Sequence, residues 1–418
     1  MTTFREAADA GYLKLVALWD HSKAFSPPKN DGDGGGRFWM AGNTVQVAID
    51  YLVQTGQSDN VGYMKDALDF FDVIVKNNDP DPNNWKNDGI WVDDYGWWGI
   101  ALIKAYEYSS VLGYDKDSVL KGRIAKRVKD CWMAMHAAWD PTRVPNDDPK
   151  INIFGGINNS IKGVNDQIKL AGRNCVTNEV YWLLSLLMAR VMNDKSYLDP
   201  ATDESAWFTA AINANILSRV DMINGQQDDT DLVLERFKGV PNYTNPKVDN
   251  LVWTGDQGLF IGASIENVAQ NRPDQPGLLA AYNIADSVKQ RMTLHNQVIH
   301  EELFAIPDYR MDYAGGKGVF MRNLQVLNVI DHNDSRGQYD PIIKANASAV
   351  WNNRLPDQRF RYYWNAEAPE PDVATWKYNK TIVDAVLHAS GLSALTAALP
   401  WFANQEIQPV AVAGVAGG

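Results

Sequence analysis

Two consecutive carboxylates, Asp93 and Asp94, lie between Trp91 and the pair Trp97-Trp98. Paired carboxyl groups can divide acid and base work, because each raises the proton affinity of the other, so one holds a proton while its neighbour stays ionised. Directed at a glycosidic bond, such a pair is the equipment for hydrolysis. Adjacent Cα atoms are ~3.8 Å apart and side chains splay at a helix start, so a carboxyl separation near ~5 Å is reachable. That suits a retaining mechanism better than the ~6.5–9.5 Å of an inverting one. Taken alone, the pair also reads as a helix cap, since Asp accepts hydrogen bonds from free first-turn N–H groups and complements the helix dipole. One capping carboxylate would suffice, however. The nearby tryptophans add flat apolar faces of the kind that stack on sugar rings.

These side chains need a frame. The apolar spacing is helical nearly everywhere and predicts twelve helices, at about 4–24, 38–56, 60–79, 93–113, 117–140, 173–193, 201–220, 256–271, 275–294, 315–333, 338–354 and 379–402. The even-numbered helices are apolar on most faces, as an inner ring would be, and the odd-numbered ones are amphipathic, as an outer ring would be. This is a repeating helical hairpin. Six hairpins closing on themselves make an all-α (α/α)6 barrel; an open solenoid is the alternative. The run DLVLER (231–236) predicts a short hairpin arm. Long Gly/Pro/Asn/Asp-rich loops (26–37, 77–89, 141–172 and 239–250) each precede an even-numbered helix. The loops therefore gather at one rim, where the site is expected. Residues 1–405 are read as one barrel domain and 406–418, ending VAVAGVAGG, as a low-complexity tail expected to be disordered.

Other polar and aromatic residues recur at the same ends of the inner helices. They are Trp39 in the second helix, Arg173, Asn174 and Asn178 in the sixth, Trp253, Asp256 and Gln257 at the eighth, and Lys317 and Arg322 in the tenth. Each alone is a cap or a solvated residue; together they would line one funnel and bind substrate.

Composition narrows the partners. The formal net charge of −12 argues against nucleic acid. Fifteen tryptophans and seventeen tyrosines can fill a core or stack on sugars. Cys131 and Cys175 show no metal-type spacing. The glycine-rich DGDGGG (31–36) lacks the bidentate Glu of a calcium loop, and Asp228, Asp229 and Asp231 read as a solvated acidic loop. No metal or cofactor is expected. An epimerase on such a barrel would use inner-ring histidines, whereas His295 and His300 follow the ninth, outer helix. No phosphate loop or Ser/His/Asp signature is present. Asn-x-Ser/Thr triplets occur at Asn158, Asn242, Asn333, Asn346 and Asn379. No stretch approaches the ~18 uninterrupted apolar residues of a membrane span. The N-terminal residues carry no basic-then-apolar pattern, which leaves a cytosolic protein or a removed signal peptide.

VDDYGWWGIALIKAYEYS (92–109) resembles the signature of glycoside hydrolase family 76, the endo-α-1,6-mannanases. Further segments are similar to that family in order: Gly155-Gly156 followed by RNCVTNEVYWLL (173–184), WTGDQGLFIGA (253–263), GGKGVFMRNL (315–324) and NASAVWNNR (346–354). The likeness runs from about residue 38 to 395. It implies an (α/α)6 barrel and retaining hydrolysis of α-1,6-mannosidic bonds, with Asp93 as nucleophile, Asp94 as general acid/base and no metal in the chemistry. It also implies a carbohydrate partner and a secreted or cell-envelope location. The chain is expected to be a monomer. The chain departs from the pattern where Arg173 stands for the usual Lys and where Thr254-Gly255-Asp256 precedes Gln257-Gly258 in place of Tyr-Asn, which adds a carboxylate at Asp256. The other readings are a non-catalytic glycan-binding protein or a transglycosidase on the same barrel, and an unsaturated-uronyl hydrolase, which the negative charge disfavours.

Overall fold

The inner ring closes. In the computed structural model, helix α2 (Gly36–Thr55) packs on α4 (Val92–Glu107), α4 on α6 (Cys175–Val191), and α6 on α8 (Thr254–Ala269). Helix α8 packs on α10 (Gly316–Asn333), α10 on α12 (Lys380–Phe402), and α12 returns to α2. The odd-numbered helices lie outside: α3 (Tyr63–Ile74) on α2, α5 (Ser118–His136) on α4, α7 (Leu198–Asn213) on α6, and α9 (Leu278–Arg291) on α8. Helices α11 (Asp340–Asn352) and α1 (Phe4–Ser22) both pack on α12. This is the (α/α)6 barrel, with a single extra helical turn at Arg310–Tyr313 and a 3-10 turn at Lys195–Tyr197. The structure describes residues 2–22, 36–60, 62–75, 91–144, 148, 150–159, 173–223, 226–236, 251–270, 272, 276–301, 310–334, 336–365, 370–372 and 380–408.

Local sequence explains the boundaries. Asp117 accepts from the Leu120 N–H at 2.9 Å and so starts α5. Pro341 sits in the first turn of α11, where its missing N–H costs nothing. Helix α7 ends at Asn213, short of the expected 220, because Asn215 turns into the left-handed region at φ 56°. The chain then enters strand β1 (Ser218–Ile223), which pairs antiparallel with β2 (Gln226–Val233). The hairpin expected around 231–236 is therefore present, with β2 beginning earlier and DLVLER running off its end.

Two glycines set how closely inner helices approach. A Cβ on Gly258 of α8 would lie 2.7 Å from the Phe320 Cα of α10, and one on Gly318 would lie 2.7 Å from the Ser390 Cα of α12. Only a residue without a side chain fits at such contacts. Helix α12 is apolar and long enough, over Ile382–Phe402, to cross a membrane by composition. That corrects the expectation that no stretch comes close. Here 94% of its most apolar 18-residue window is buried, as the stave that completes the ring. Its His388 lies in the core between α12 and α1, with Nε2 2.8 Å from the Gly11 carbonyl and Nδ1 accepting from the Phe360 N–H at 3.2 Å. The two ends of the described chain are stitched together. The Phe4 N–H donates to Gln405 O at 3.1 Å, the Ile407 N–H to Thr2 O at 2.9 Å, and Ile407 is buried. Residues 409–418 of the expected tail, and residues 31–35 of the glycine-rich loop, lie outside the described residues.

Candidate active site

Asp93 and Asp94 occupy the first turn of α4, after the N-cap residue Trp91. Asp94 is 2% exposed, and its Oδ2 accepts from the Trp91 N–H at 3.0 Å. Asp93 is half-buried. Asp94 thus caps the helix as foreseen, and its neighbour Asp93 is left less buried. The Val92 N–H donates to the Asn159 carbonyl at 3.2 Å, which fixes the segment 157–159 over the head of α4.

The aromatic residues divide into three groups. Trp91 is 40% exposed and offers a face to solvent. Trp39, Trp97 and Trp253 are buried and pack in a row, with ring centroids 5.7 Å apart for Trp39–Trp97 and 6.3 Å apart for Trp97–Trp253. They join the N-terminal ends of α2, α4 and α8. Trp253 is held further by its Nε1–H, which donates to Tyr313 O at 2.9 Å. Trp98 points elsewhere, into the layer between inner and outer rings. It packs against Phe38, Phe70 and Phe71, and its Nε1–H donates to Phe38 O at 2.7 Å. It is fully buried and serves packing, not the funnel.

Beneath the tryptophan row lies Arg322. Its guanidinium sits 6.0 Å from the Trp97 ring centroid, and its Nε and Nη1 have no acceptor among the described residues. Burial pushes it down to about 10, against the pull of Asp50, so it keeps its charge at neutral pH. Asp50 also pairs with Lys104. Lys317 is fully enclosed: it donates to the Tyr362 carbonyl and lies 4.4 Å from the Tyr362 ring centroid and 5.0 Å from that of Trp364. Burial lowers the proton affinity of Lys317 and raises that of its neighbour Glu301.

Most of the predicted polar residues at the heads of α6 and α8 bond the protein itself, Asp256 being the exception. Asn178 bonds Ile157 in both directions, accepting its N–H at 2.7 Å and donating to its carbonyl at 3.2 Å. Asn174 donates to Glu235 Oε1 at 2.9 Å. Gln257 accepts from Val233 N–H at 3.0 Å and donates to Val233 O at 2.9 Å, clamping the end of β2 to α8. Arg173 pairs with Asp140 at 3.0 Å and donates to the Thr142 carbonyl. They build the rim that carries the loops. Asp256 is fully buried, facing Glu179 and Glu235, and burial first, then those charges, hold it well above the usual carboxylate range. Glu179, Glu235 and Glu301 were not singled out in the sequence. Glu179 alone left a signal, standing four residues after Cys175 and so on the same helical face. Asp231 is exposed, and nothing is described of the side chains of Asp228 and Asp229. Asn346, one of the glycosylation triplets, is buried, with its amide engaged by Ile299, Gln297 and Ile342, so it cannot carry a glycan in the folded protein.

Residues 5–400 match the profile of Glycosyl hydrolase family 76. The chain belongs to that family. An α-1,6-mannanase of Salegentibacter sp. HEL1_6, solved as an inactive variant with two consecutive aspartates changed to asparagine and bound to α-1,6-mannotriose, has a similar structure. The TM-score is 0.64 at 17% identity, covering 95% of this chain and 99% of that one. Dfg5 from Chaetomium thermophilum, in complex with glucosamine, is similar at TM-score 0.64 and 17% identity, over 92% of this chain and 90% of that one. A Schizosaccharomyces pombe protein carrying the provisional name mannan endo-1,6-alpha-mannosidase is 26% identical over 174 residues. That match takes in 41% of this chain and spans about a third (35%) of the relative's length.

Proposed function

We propose that this protein is a retaining glycoside hydrolase that cleaves α-1,6-mannosidic linkages in mannan or a related α-mannose-containing glycan. The observation that carries the reading is the consecutive pair Asp93–Asp94 in the first turn of an inner helix, beside the exposed ring of Trp91. The loss of activity named for the Salegentibacter mannanase with two consecutive aspartates replaced supports it, as does membership of family 76.

On this reading Asp93 attacks the anomeric carbon, and the positive end of the α4 dipole favours the negative charge it must hold. Asp94 gives its proton to the departing glycosidic oxygen. The covalent glycosyl-enzyme is then opened by water, whose proton returns to Asp94, and the sugar leaves with its configuration retained. Trp91 supplies a stacking face, Trp39, Trp97 and Trp253 form the apolar floor, and Arg322 lies beneath it. No step requires a metal. Transfer of the glycosyl group to a sugar hydroxyl in place of water uses the same residues and is the second reading. The same family reading puts the protein in the cell envelope or outside the cell, and we take it to act as a monomer. Incubation with α-1,6-mannan, with products identified by mass spectrometry and their anomeric form by NMR, tests the proposal. Shortened α-anomers support it. Bound but uncut mannan points to a non-catalytic binder and overturns it.

A further inference from the structure

Cys175 and Glu179 lie one turn apart on α6, so their side chains share a face. Asp256 stands in the first turn of α8, which packs on α6. One ligand atom from each of the three, a thiol sulfur and two carboxylate oxygens, lies within 4.8 Å of the others, and all three residues are fully buried. The hydrogen-bond inventory of this cluster does not close. The Cys175 thiol donates to Glu179 Oε1 at 3.2 Å. Glu179 Oε2 has no donor among the described residues, and Asp256 meets another carboxyl, Glu235, in place of a nitrogen or hydroxyl donor. The oxygens of Glu235 accept from Asn174 Nδ2 and the Val176 N–H and so cap α6.

Buried charge of one sign has to be neutralised, by protons or by a cation. One basic group, Arg236, acts on Glu235 at the edge of the cluster, and Lys317 lies with Glu301 and Glu370; burial and neighbouring carboxyls raise Glu179 and Asp256. The donor types then discriminate among ions. A thiolate is a poor ligand for calcium or magnesium, whereas one sulfur with two or three carboxylate oxygens suits a borderline-soft divalent ion. Ligand atoms around tetrahedral zinc lie roughly 3.5 Å apart, so contraction by about 1 Å would close the shell.

We propose that Cys175, Glu179 and Asp256 form a structural zinc site that fastens the head of α6 to the head of α8. Binding breaks the S–H bond of Cys175 and expels any proton shared between Asp256 and Glu235. These protons leave to solvent, and no redox change occurs. The three ligands are fully buried, so the ion is assigned a structural and not a hydrolytic role. The proposal is independent of the reaction assigned to Asp93 and Asp94.

The test is metal analysis of the full chain, purified, loaded with zinc and passed through a desalting column, together with titration by cadmium. Expected are about one zinc per chain and an ultraviolet thiolate-to-cadmium charge-transfer band. The C175S variant should lose the band and D256N should lower zinc content at least tenfold, while C131S keeps both. A wild-type chain that is helical by circular dichroism yet holds no zinc and gives no cadmium band overturns the proposal, the cluster then being held by protons alone. Zinc retained at full stoichiometry in both C175S and D256N also overturns it. If either variant fails to fold, the wild-type stoichiometry and cadmium band decide.

Discussion

The side-chain amide of Asn178 and the main chain of Ile157 bond each other in both directions, at 2.7 and 3.2 Å. Two residues further on, the Asn159 carbonyl accepts from Val92 at the head of α4. Asn178, on α6, therefore positions the turn that carries Asp93. Replacing it with Leu leaves the buried N–H and C=O of Ile157 unpaired and should cost roughly 1–3 kcal/mol each at most. A fall in the denaturant midpoint, with turnover falling further than stability explains, is the expected result. Unchanged turnover in a folded N178L protein would detach this strap from the active site.

Asp93→Asn and Asp94→Asn should each slow mannan cleavage by at least ~10²–10⁴-fold. The fold should survive, because an amide oxygen at position 94 can still accept the Trp91 N–H. The roles separate by azide rescue of the corresponding alanine variants: the nucleophile variant gives a glycosyl azide of inverted configuration, the acid/base variant one of retained configuration. The opposite assignment of products would exchange the roles of Asp93 and Asp94.

Trp91 and Trp98 should part company on substitution. Trp91→Ala removes an exposed stacking face, worth ~0.5–1.5 kcal/mol, and should raise KM about three- to tenfold while leaving the melting temperature nearly unchanged. Trp98→Ala empties a site packed by Phe38, Phe70 and Phe71 and should cost about 3–5 kcal/mol of stability. Steady-state kinetics and thermal melts on the two variants check this contrast.

His388 is buried in its neutral form, and burial pushes it down to about 4 from an ordinary 6.5, with Lys14, Asp357 and Arg359 acting from nearby. The unfolded chain binds the proton first as pH falls. The stability tied to the neutral ring is therefore complete above pH ~6.5 and is lost between there and about 4. Compared with His388→Gln, the wild type should lose about 2–3 kcal/mol more over that window. Parallel urea titrations at pH 7 and 4.5 measure it, and identical slopes for the two proteins would show that His388 does not titrate in this way.

Gly258→Ala and Gly318→Ala should each destabilise the barrel by roughly 1–3 kcal/mol, since the new methyl meets backbone of α10 or α12. Gly122, on the outer helix α5 with nothing near its added Cβ, should instead gain up to ~1 kcal/mol as Ala. Calorimetric melts of the three variants give the comparison.

Much of this architecture was legible because it is periodic. Inner helices such as α6 are apolar all round and outer ones such as α5 are not, and that difference fixes two concentric rings. The pair Asp93–Asp94 was legible because both members are adjacent in the chain. The roles of Asn174, Asn178 and Gln257 were not. Their position at a helix start says which rim they occupy, but their partners, Glu235, Ile157 and Val233, come from loops and a strand end whose paths no helical period encodes. Trp98 misled for a related reason. Trp97 and Trp98 differ by one position, about 100° around the helix, so one faces the tryptophan row and the other the outer ring. The cluster at Asp256 joins two helices and the exit of a hairpin, and only the Cys175–Glu179 spacing hints at it.

Helix α12 is both the sixth inner stave and the stave formed from the latest part of the described sequence, and it carries the contact with α1. During synthesis, five inner helices emerge before the one that separates α2 from α10. Until then those two helices face a gap lined with apolar side chains. A chain interrupted before Lys380 would therefore be an open trough prone to self-association, so ring closure acts as a checkpoint on completeness. Because residues 2–5 and 403–407 meet beside that last stave, joining the chain there and reopening it at an outer loop should preserve the barrel while changing which stave closes it.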